Sequence, residues 1–358
     1  MHRHIMCRLS GDGRERGLSH GRQLSSEIAS LYQRYISHGH GIVPGSTEEA
    51  DLLRRAEGYW PGIRQWNEDL AQELVGIAEG ADLELAKVLV LNCYDEFGLD
   101  PADGPSGHCT GVILGSEVTK SGAVLIGQNW DIPRWYEPCV LFHIAEAAGQ
   151  PEAFILSHPG IVGGPGMNQH IALCWMTVLP TDSSVGIPGS LLTRNALSMT
   201  TVDDALGAIV ETNRATGQNL FLADGRRAVN LETTGDVHNL TEVATTWAHT
   251  NHYKASELQA LEVPGEPIWS SKSRMTRMEA LLAEARAAFD ADRVFEMLRD
   301  HDGFPGSICE HQEGDNEAET LASILMAPGE GRLLVSFGPP CATEPDEMTL
   351  QPIGSSVI

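Results

Sequence analysis

Residues 100–131 read DPADGPSGHCTGVILGSEVTKSGAVLIGQNWD, and the parsing of this stretch decides the fold. Its first nine residues, DPADGPSGH, carry two prolines and two glycines and read as a loop. CTGVILGSE (109–117) and AVLIGQNWD (123–131) are strand-length runs rich in β-branched residues, joined at Val118-Thr119-Lys120-Ser121-Gly122 by a hairpin turn. CVLFHIAEA (139–147) with AFILSH (153–158), and NLFLAD (219–224) with AVNLET (228–233), repeat the hairpin pattern, so antiparallel pairing dominates.

Upstream, Leu18, Leu24, Ile28, Leu31, Tyr32 and Tyr35 recur at helical spacing and predict one amphipathic helix over 13–35. HGHGIVPGS breaks the chain, and further helical segments follow from about Glu48 to Trp66, through Leu74 and Ile77, and over Leu83–Tyr94. The first hundred residues are therefore expected to be mostly helical. Helices return near Ser190–Ser198, Val202–Thr212, Ser273–Ala288 and Arg293–Arg299, the second announced by a Thr201/Asp204 cap. Hairpins interleaved with helices predict an α+β layered fold in one large domain, not a doubly wound parallel sheet.

The formal charge of −25, from 24 basic and 49 acidic residues, disfavours nucleic acid and anionic membrane partners. The longest apolar runs fall short of the ~18 residues that span a bilayer. The opening MHRHIMCRLSGDGRERG lacks the apolar segment of a secretory signal, so a cytoplasmic location is expected. Seven cysteines without a CxxC pair fit neither a disulfide framework nor a structural zinc site, and no metal is expected. His249 and His252 form a His-x-x-His pair with no third ligand at helical spacing.

Cys109 stands where the loop ends and the first strand begins. A thiol needs a base to become the thiolate that attacks acyl carbon, and a free α-amine of pKa ~7.7–8.0 is a suitable one. Cutting His108–Cys109 would give one residue both nucleophile and base. Without a cut, a histidine such as His252 would have to serve.

The motifs ELVGIAEGAD (73–82), LVLNCYDE (89–96), GHCT (107–110), GQNWD (127–131), GGPGMN (163–168), LADGRRAVNLET (222–233), HTNH (249–252), SRMTRMEALL (273–282), DGFPGSIC (302–309) and PDEM (345–348) occur in an order that resembles the cysteine branch of the N-terminal nucleophile (Ntn) hydrolases. Within it the resemblance is greatest to the isopenicillin N acyltransferase family and its bacterial relatives. The resemblance implies an αββα sandwich, two antiparallel sheets between helical layers, preceded by a helical N-terminal segment. It implies a precursor that cleaves itself at His108–Cys109 into 1–108 and 109–358, two fragments that stay associated as one globular domain. The mature enzyme would act as an acyltransferase or amidohydrolase through a Cys109 thioester. Its substrate would be a small N-acyl amide, acyl-CoA is a candidate donor, and no cofactor is implied.

Residue by residue, the resemblance makes Asp131 the carboxylate that orients the nucleophile's amine, across a hairpin slightly longer than the family's usual one. Asn251 becomes the amide that donates to the developing oxyanion, and Arg274 the cation beside the thiol, with Arg277 as competitor. Thr110 and Ser307 are supporting candidates, and Asn168 is read as structural. The damaged Cys/Asp/Asn set expected of a non-catalytic binding protein is absent. The C-terminal Ser356-Val357-Ile358 lacks a peroxisomal address.

Overall fold

The computed structural model describes residues 4–38, 49–97, 108–147, 149–264, 270–285, 288–314 and 316–351. The loop assigned to 100–107 lies outside these apart from His108, as do most of HGHGIVPGS and the C-terminal tripeptide.

The strands are β1 His4–Leu9, β2 His108–Leu114, β3 Leu125–Pro133, β4 Cys139–Ile144, β5 Ala153–Ser157, β6 Gly166–Asn168, β7 Ala172–Thr177, β8 Gln218–Ala223, β9 Ala228–Thr233, β10 His238–Glu242, β11 Thr246–His249, β12 Ala318–Ala327, β13 Arg332–Phe337 and β14 Asp346–Thr349. They form an eight-stranded sheet, β1-β4-β5-β6-β7-β8-β9-β10, and a six-stranded sheet, β11-β2-β3-β12-β13-β14. All three expected hairpins are present. The sheets are not wholly antiparallel, however: β1 pairs in parallel with β4. This N-terminal strand, HIMCRL, is an element that the reading of a mostly helical start did not include. Only Cys7 and Leu9 of it are buried, a pattern too short and too basic to announce a strand.

The helices are α1 Gly13–Gln23, α2 Ser25–Ser37, α3 Glu49–Glu57, α4 Trp60–Trp66, α5 Glu68–Ala81, α6 Leu85–Asn92, α7 Tyr94–Phe97, α8 Gly189–Ala196, α9 Val202–Val210, α10 Ser256–Gln259, α11 Ser271–Glu284 and α12 Ala291–Leu298. The helix expected over 13–35 is two, because the backbone at Leu24 leaves the helical region. The segment from 48 to 66 is likewise two, the second opened by Pro61 in its first turn. Thr201 caps α9 as expected, its hydroxyl accepting from Asp204 N at 3.0 Å.

Helix α1 and helix α5 meet backbone to backbone. A Cβ on Gly17 would sit 2.0 Å from the Glu73 carbonyl oxygen, and one on Gly76 would sit 2.5 Å from Arg14 O. Behind this seam Glu73 is buried with two arginines, accepting from Arg16 Nε at 3.0 Å and Arg194 Nη2 at 3.3 Å. Arg194 belongs to α8, so the cluster ties the N-terminal helices to the rest of the chain.

The sheets stack face to face, β2 and β3 over β7. Strand alternation sorts β2: Cys109 and Ile113 join the core shared with the N-terminal helices, whereas Val112 and Leu114 join a second core with α11 and α12. The result is four layers, helix, sheet, sheet, helix. A Cβ on Gly111 would meet Met176 and Phe221 of the facing sheet at 2.7 Å, so glycine permits the close approach there. Gln128 bridges the sheets, donating to Trp175 O at 2.9 Å and accepting from Trp175 N at 2.6 Å. On the other face Asn129 donates to Leu298 O and Ile308 O. The motif GQNWD thus pins β3 to the layers on both sides before it delivers Asp131.

Candidate active site

The β2/β3 register sets Cys109 opposite Trp130 and His108 opposite Asp131. Strand β2 begins at His108, so the His108–Cys109 peptide sits at the start of a ladder. The longer turn expected near Lys120 is held by Lys120 N donating to Phe289 O at 2.8 Å.

Cys109 is gripped by its backbone. Its N–H donates to Asn251 Oδ1 at 2.8 Å, and its carbonyl accepts from Arg274 Nη1 at 2.5 Å. Arg274 also donates from Nη1 to Thr110 Oγ1 and from Nη2 to Asn251 Oδ1, each at 2.9 Å. The first turn of α11 sets both partners: Ser270 Oγ accepts from Arg274 Nε at 2.9 Å, and Ser271 Oγ accepts from Asn251 N at 2.9 Å. Arg274 is 1% exposed. Arg277, by contrast, faces outward against Asp300 and Asp302, and the structure separates the two candidates.

Asn251 is oriented differently from its expected role. Its amide already donates to Thr177 O at 2.9 Å, and its acceptor Oδ1 faces Cys109. The second amide hydrogen is left for another acceptor. Asp131 is fully buried, and its Oδ1 accepts from Thr320 Oγ1 at 2.6 Å. Among the described residues its Oδ2 has no hydrogen-bond partner. The amine-orienting role expected of Asp131 therefore finds no counterpart in the intact chain, where Asn251 takes the Cys109 N–H.

Electrostatics favour the neutral form of the Cys109 thiol. Burial, then the charge of Asp131, pushes the Cys109 thiol far above its ordinary range, against the pull of the Asp131 N–H and Arg274. Asp131 is itself pushed well up, first by burial and then by the charge of Glu310.

Other candidates fall elsewhere. Ser307 is buried, but its hydroxyl donates to Cys309 O at 2.6 Å, inside its own loop. Asn168 closes a turn, accepting from His170 N and Ile171 N, as its structural reading requires. His252 Nδ1 lies 2.7 Å from Ser271 Oγ, and burial lowers the ring to about 4. Among the described residues no histidine hydrogen-bonds the Cys109 thiol, so an unprocessed Cys–His pair has no geometry here. His249 is engaged by Glu232 and Thr250 O.

Sequence reading missed four groups. Glu310 accepts from or shares a proton with His108 Nδ1 at 2.9 Å, fully buried. Thr320 reaches Asp131 from the adjacent strand. Asp95 and Glu96, at the end of α6–α7, are buried carboxyls pushed up by burial to about 7 and about 8. Thr177 Oγ1 lies 3.3 Å from Asp95 while its carbonyl holds Asn251, which joins Asp95 to the site. Asp95 and Glu96 stand in the quoted motif LVLNCYDE; Glu310 and Thr320 carry no local signal.

The thiol is 2% exposed. A cleft of about 500 Å³ along α11, lined by Lys272, Thr276, Arg277 and Asp302 among others, is not lined by Cys109.

Residues 118–341 match the sequence model of the acyl-coenzyme A:6-aminopenicillanic acid acyl-transferase family. The 40 kDa form of acyl-coenzyme A:6-aminopenicillanic-acid-acyltransferase from Emericella nidulans is 29% identical over 96% of this chain and 94% of its own. Among solved structures, a variant of the conjugated bile acid hydrolase from Clostridium perfringens covers 68% of this chain and 97% of its own, with 13% identity and a TM-score of 0.43. Penicillin V acylase from Agrobacterium tumefaciens covers 67% and 84%, with 13% identity and a TM-score of 0.45.

Proposed function

Because the chain belongs to the acyl-coenzyme A:6-aminopenicillanic acid acyl-transferase family, we propose that it is a self-processing acyltransferase or amide hydrolase whose nucleophile is Cys109, released by cleavage at His108–Cys109. The observation that carries this reading is the grip on Cys109. Its N–H and C=O are both fixed, by Asn251 and Arg274, while Oδ2 of the buried Asp131, opposite His108, lacks a partner among the described residues. A buried polar atom without a partner costs about 1–3 kcal/mol, and the α-amine made by cleavage would supply that partner.

In the first stage the Cys109 sulfur attacks the His108 carbonyl carbon. The thiol proton passes to a base, the role assigned to Asp131, and then to the departing Cys109 nitrogen as the C–N bond breaks. Water hydrolyses the resulting His108 thioester, leaving a His108 carboxylate and a free Cys109 α-amine. In the second stage that amine takes the thiol proton as the sulfur attacks an acyl donor, and gives it to the donor's departing amine or thiolate as the acyl thioester forms. The second hydrogen of the Asn251 amide supports the oxyanion, and the acyl group leaves the thioester for an amine or for water. Arg274 offsets the negative charge of Asp131 and of the thiolate. Small N-acyl amides and acyl-CoA are the donors to be compared.

Intact mass spectrometry tests the reading. Wild-type protein should give two species, 1–108 and 109–358, Cys109→Ala should give one, and an acyl donor should add its acyl mass to the Cys109 fragment. Active protein that stays a single chain would sink self-processing, and an acyl adduct elsewhere would sink Cys109.

A further inference from the structure

Beyond Glu310 the fold gathers four side chains that acyl transfer leaves unused. His301, Cys309, His311 and Cys341 each place one donor atom within 4.8 Å of the others. His301 Nε2 and His311 Nε2 are 3.0 Å apart, and Cys309 Sγ and Cys341 Sγ each lie 3.6 Å from His311 Nε2. A ring nitrogen has one hydrogen or one in-plane lone pair, so it cannot hydrogen-bond three such neighbours at once. The spacing fits the edges of a coordination tetrahedron. With Zn–S of ~2.3 Å and Zn–N of ~2.0–2.1 Å, those edges are ~3.3 Å between nitrogens and ~3.6 Å between nitrogen and sulfur.

We propose that His301, Cys309, His311 and Cys341 form a tetrahedral Cys2His2 site for a structural zinc ion. Two thiolates and two imidazoles suit zinc and offer nothing to oxygen-seeking magnesium or calcium. The expectation of no metal rested on sequence spacing, which fails here because the ligands come from three places: the turn after α12, the segment entering β12, and the turn after β13. The inner ligand is held by a surrounding shell. Cys309 N donates to Asp300 O at 2.9 Å, Ser307 Oγ donates to Cys309 O at 2.6 Å, and Asn316 Nδ2 donates to His311 O at 3.1 Å. Cys309 is buried, whereas His301 and Cys341 are exposed and leave a way in for the ion. The ion would add a staple to three segments already joined by hydrogen bonds from Cys309 N to Asp300 O and from Arg299 Nε to Pro340 O, and would fix the backbone on either side of Glu310.

The test reads metal, not acyl transfer, and so stands apart from the fate of the catalytic reading. Full-length protein purified under reducing conditions without chelator should carry about one zinc per chain by elemental analysis after desalting. Reconstitution of the stripped protein with cobalt should give the intense visible bands of a tetrahedral site and a thiolate-to-cobalt charge-transfer band. Substitution of the exposed ligand, Cys341→Ser, should lower retained zinc at least about tenfold. Wild-type protein with less than about a tenth of a zinc per chain overturns the proposal. So does a different metal in its place, a Cys309–Cys341 disulfide in non-reduced peptide maps, or full zinc retention by Cys341→Ser.

Discussion

Asn251 Oδ1 lies 2.8 Å from the Cys109 backbone nitrogen, so the amide group of one side chain holds the nitrogen of the peptide that the proposed cleavage breaks. The same side chain has a donor to spare, and the two halves of the amide are separable by mutation. Asn251→Asp keeps an acceptor for the Cys109 N–H but removes the donor. It should retain measurable processing while acyl transfer falls by ~10²–10³. Asn251→Ala should impair both. Precursor half-time by gel and acyl-transfer rate by product assay give the comparison; equal losses in the two steps for Asn251→Asp would refute the division.

Arg274 serves four acceptors from one planar group, and a lysine keeps only its charge. Arg274→Lys should fold and yet process at least about tenfold more slowly, because a point donor cannot hold the Cys109 carbonyl and Asn251 Oδ1 together. Wild-type processing by the lysine variant would show that charge alone suffices.

Asp95 and Glu96 make stability depend on pH. Burial raises both carboxyls in the folded state, to about 7 and about 8, above their ordinary values of 3.8 and 4.5. Their contribution is fully present below the unfolded values. It is lost as pH climbs through the folded ones, because the unfolded chain ionises first. Asp95→Asn should therefore gain on wild type by up to about 4 kcal/mol between pH 4 and pH 8. Melting temperatures of both proteins at the two pH values check this, and a constant difference would contradict it.

Glu73 faces two buried arginines from different parts of the chain. Removing it leaves Arg16 ion-paired with Asp69 alone and takes from Arg194 its one ion pair among the described residues, and Glu73→Ala should lower unfolding free energy by about 3–5 kcal/mol. Urea unfolding followed by circular dichroism measures this; a loss below about 1 kcal/mol would mean that water already reaches the guanidinium groups.

Much of this architecture is legible in the residues. The β2/β3 hairpin is written in alternating β-branched runs around a turn, and it alone sets Cys109 opposite Trp130 and His108 opposite Asp131 at the start of the ladder. Asn251 and Arg274 were legible through motif order, since HTNH and SRMTRM carry no hairpin or periodicity that would bring them to a cysteine more than a hundred residues upstream. Glu310 and Thr320 were not legible. They reach His108 and Asp131 because β12 adds to the sheet beside β3, a long-range pairing with no short-range signature. The break at Leu24 escaped because apolar spacing continues across it while the backbone does not. His301, Cys309, His311 and Cys341 escaped for the reason Glu310 did.

Strand β1 lies N-terminal to the scissile bond, yet its pairing partner β4 lies after it. A cut at His108–Cys109 would thus leave one sheet built from two polypeptides and change the molecularity of unfolding. The intact chain unfolds as a single molecule, and its melting temperature is indifferent to concentration. The cleaved protein can unfold only by coming apart, so its melting temperature should climb as protein is added.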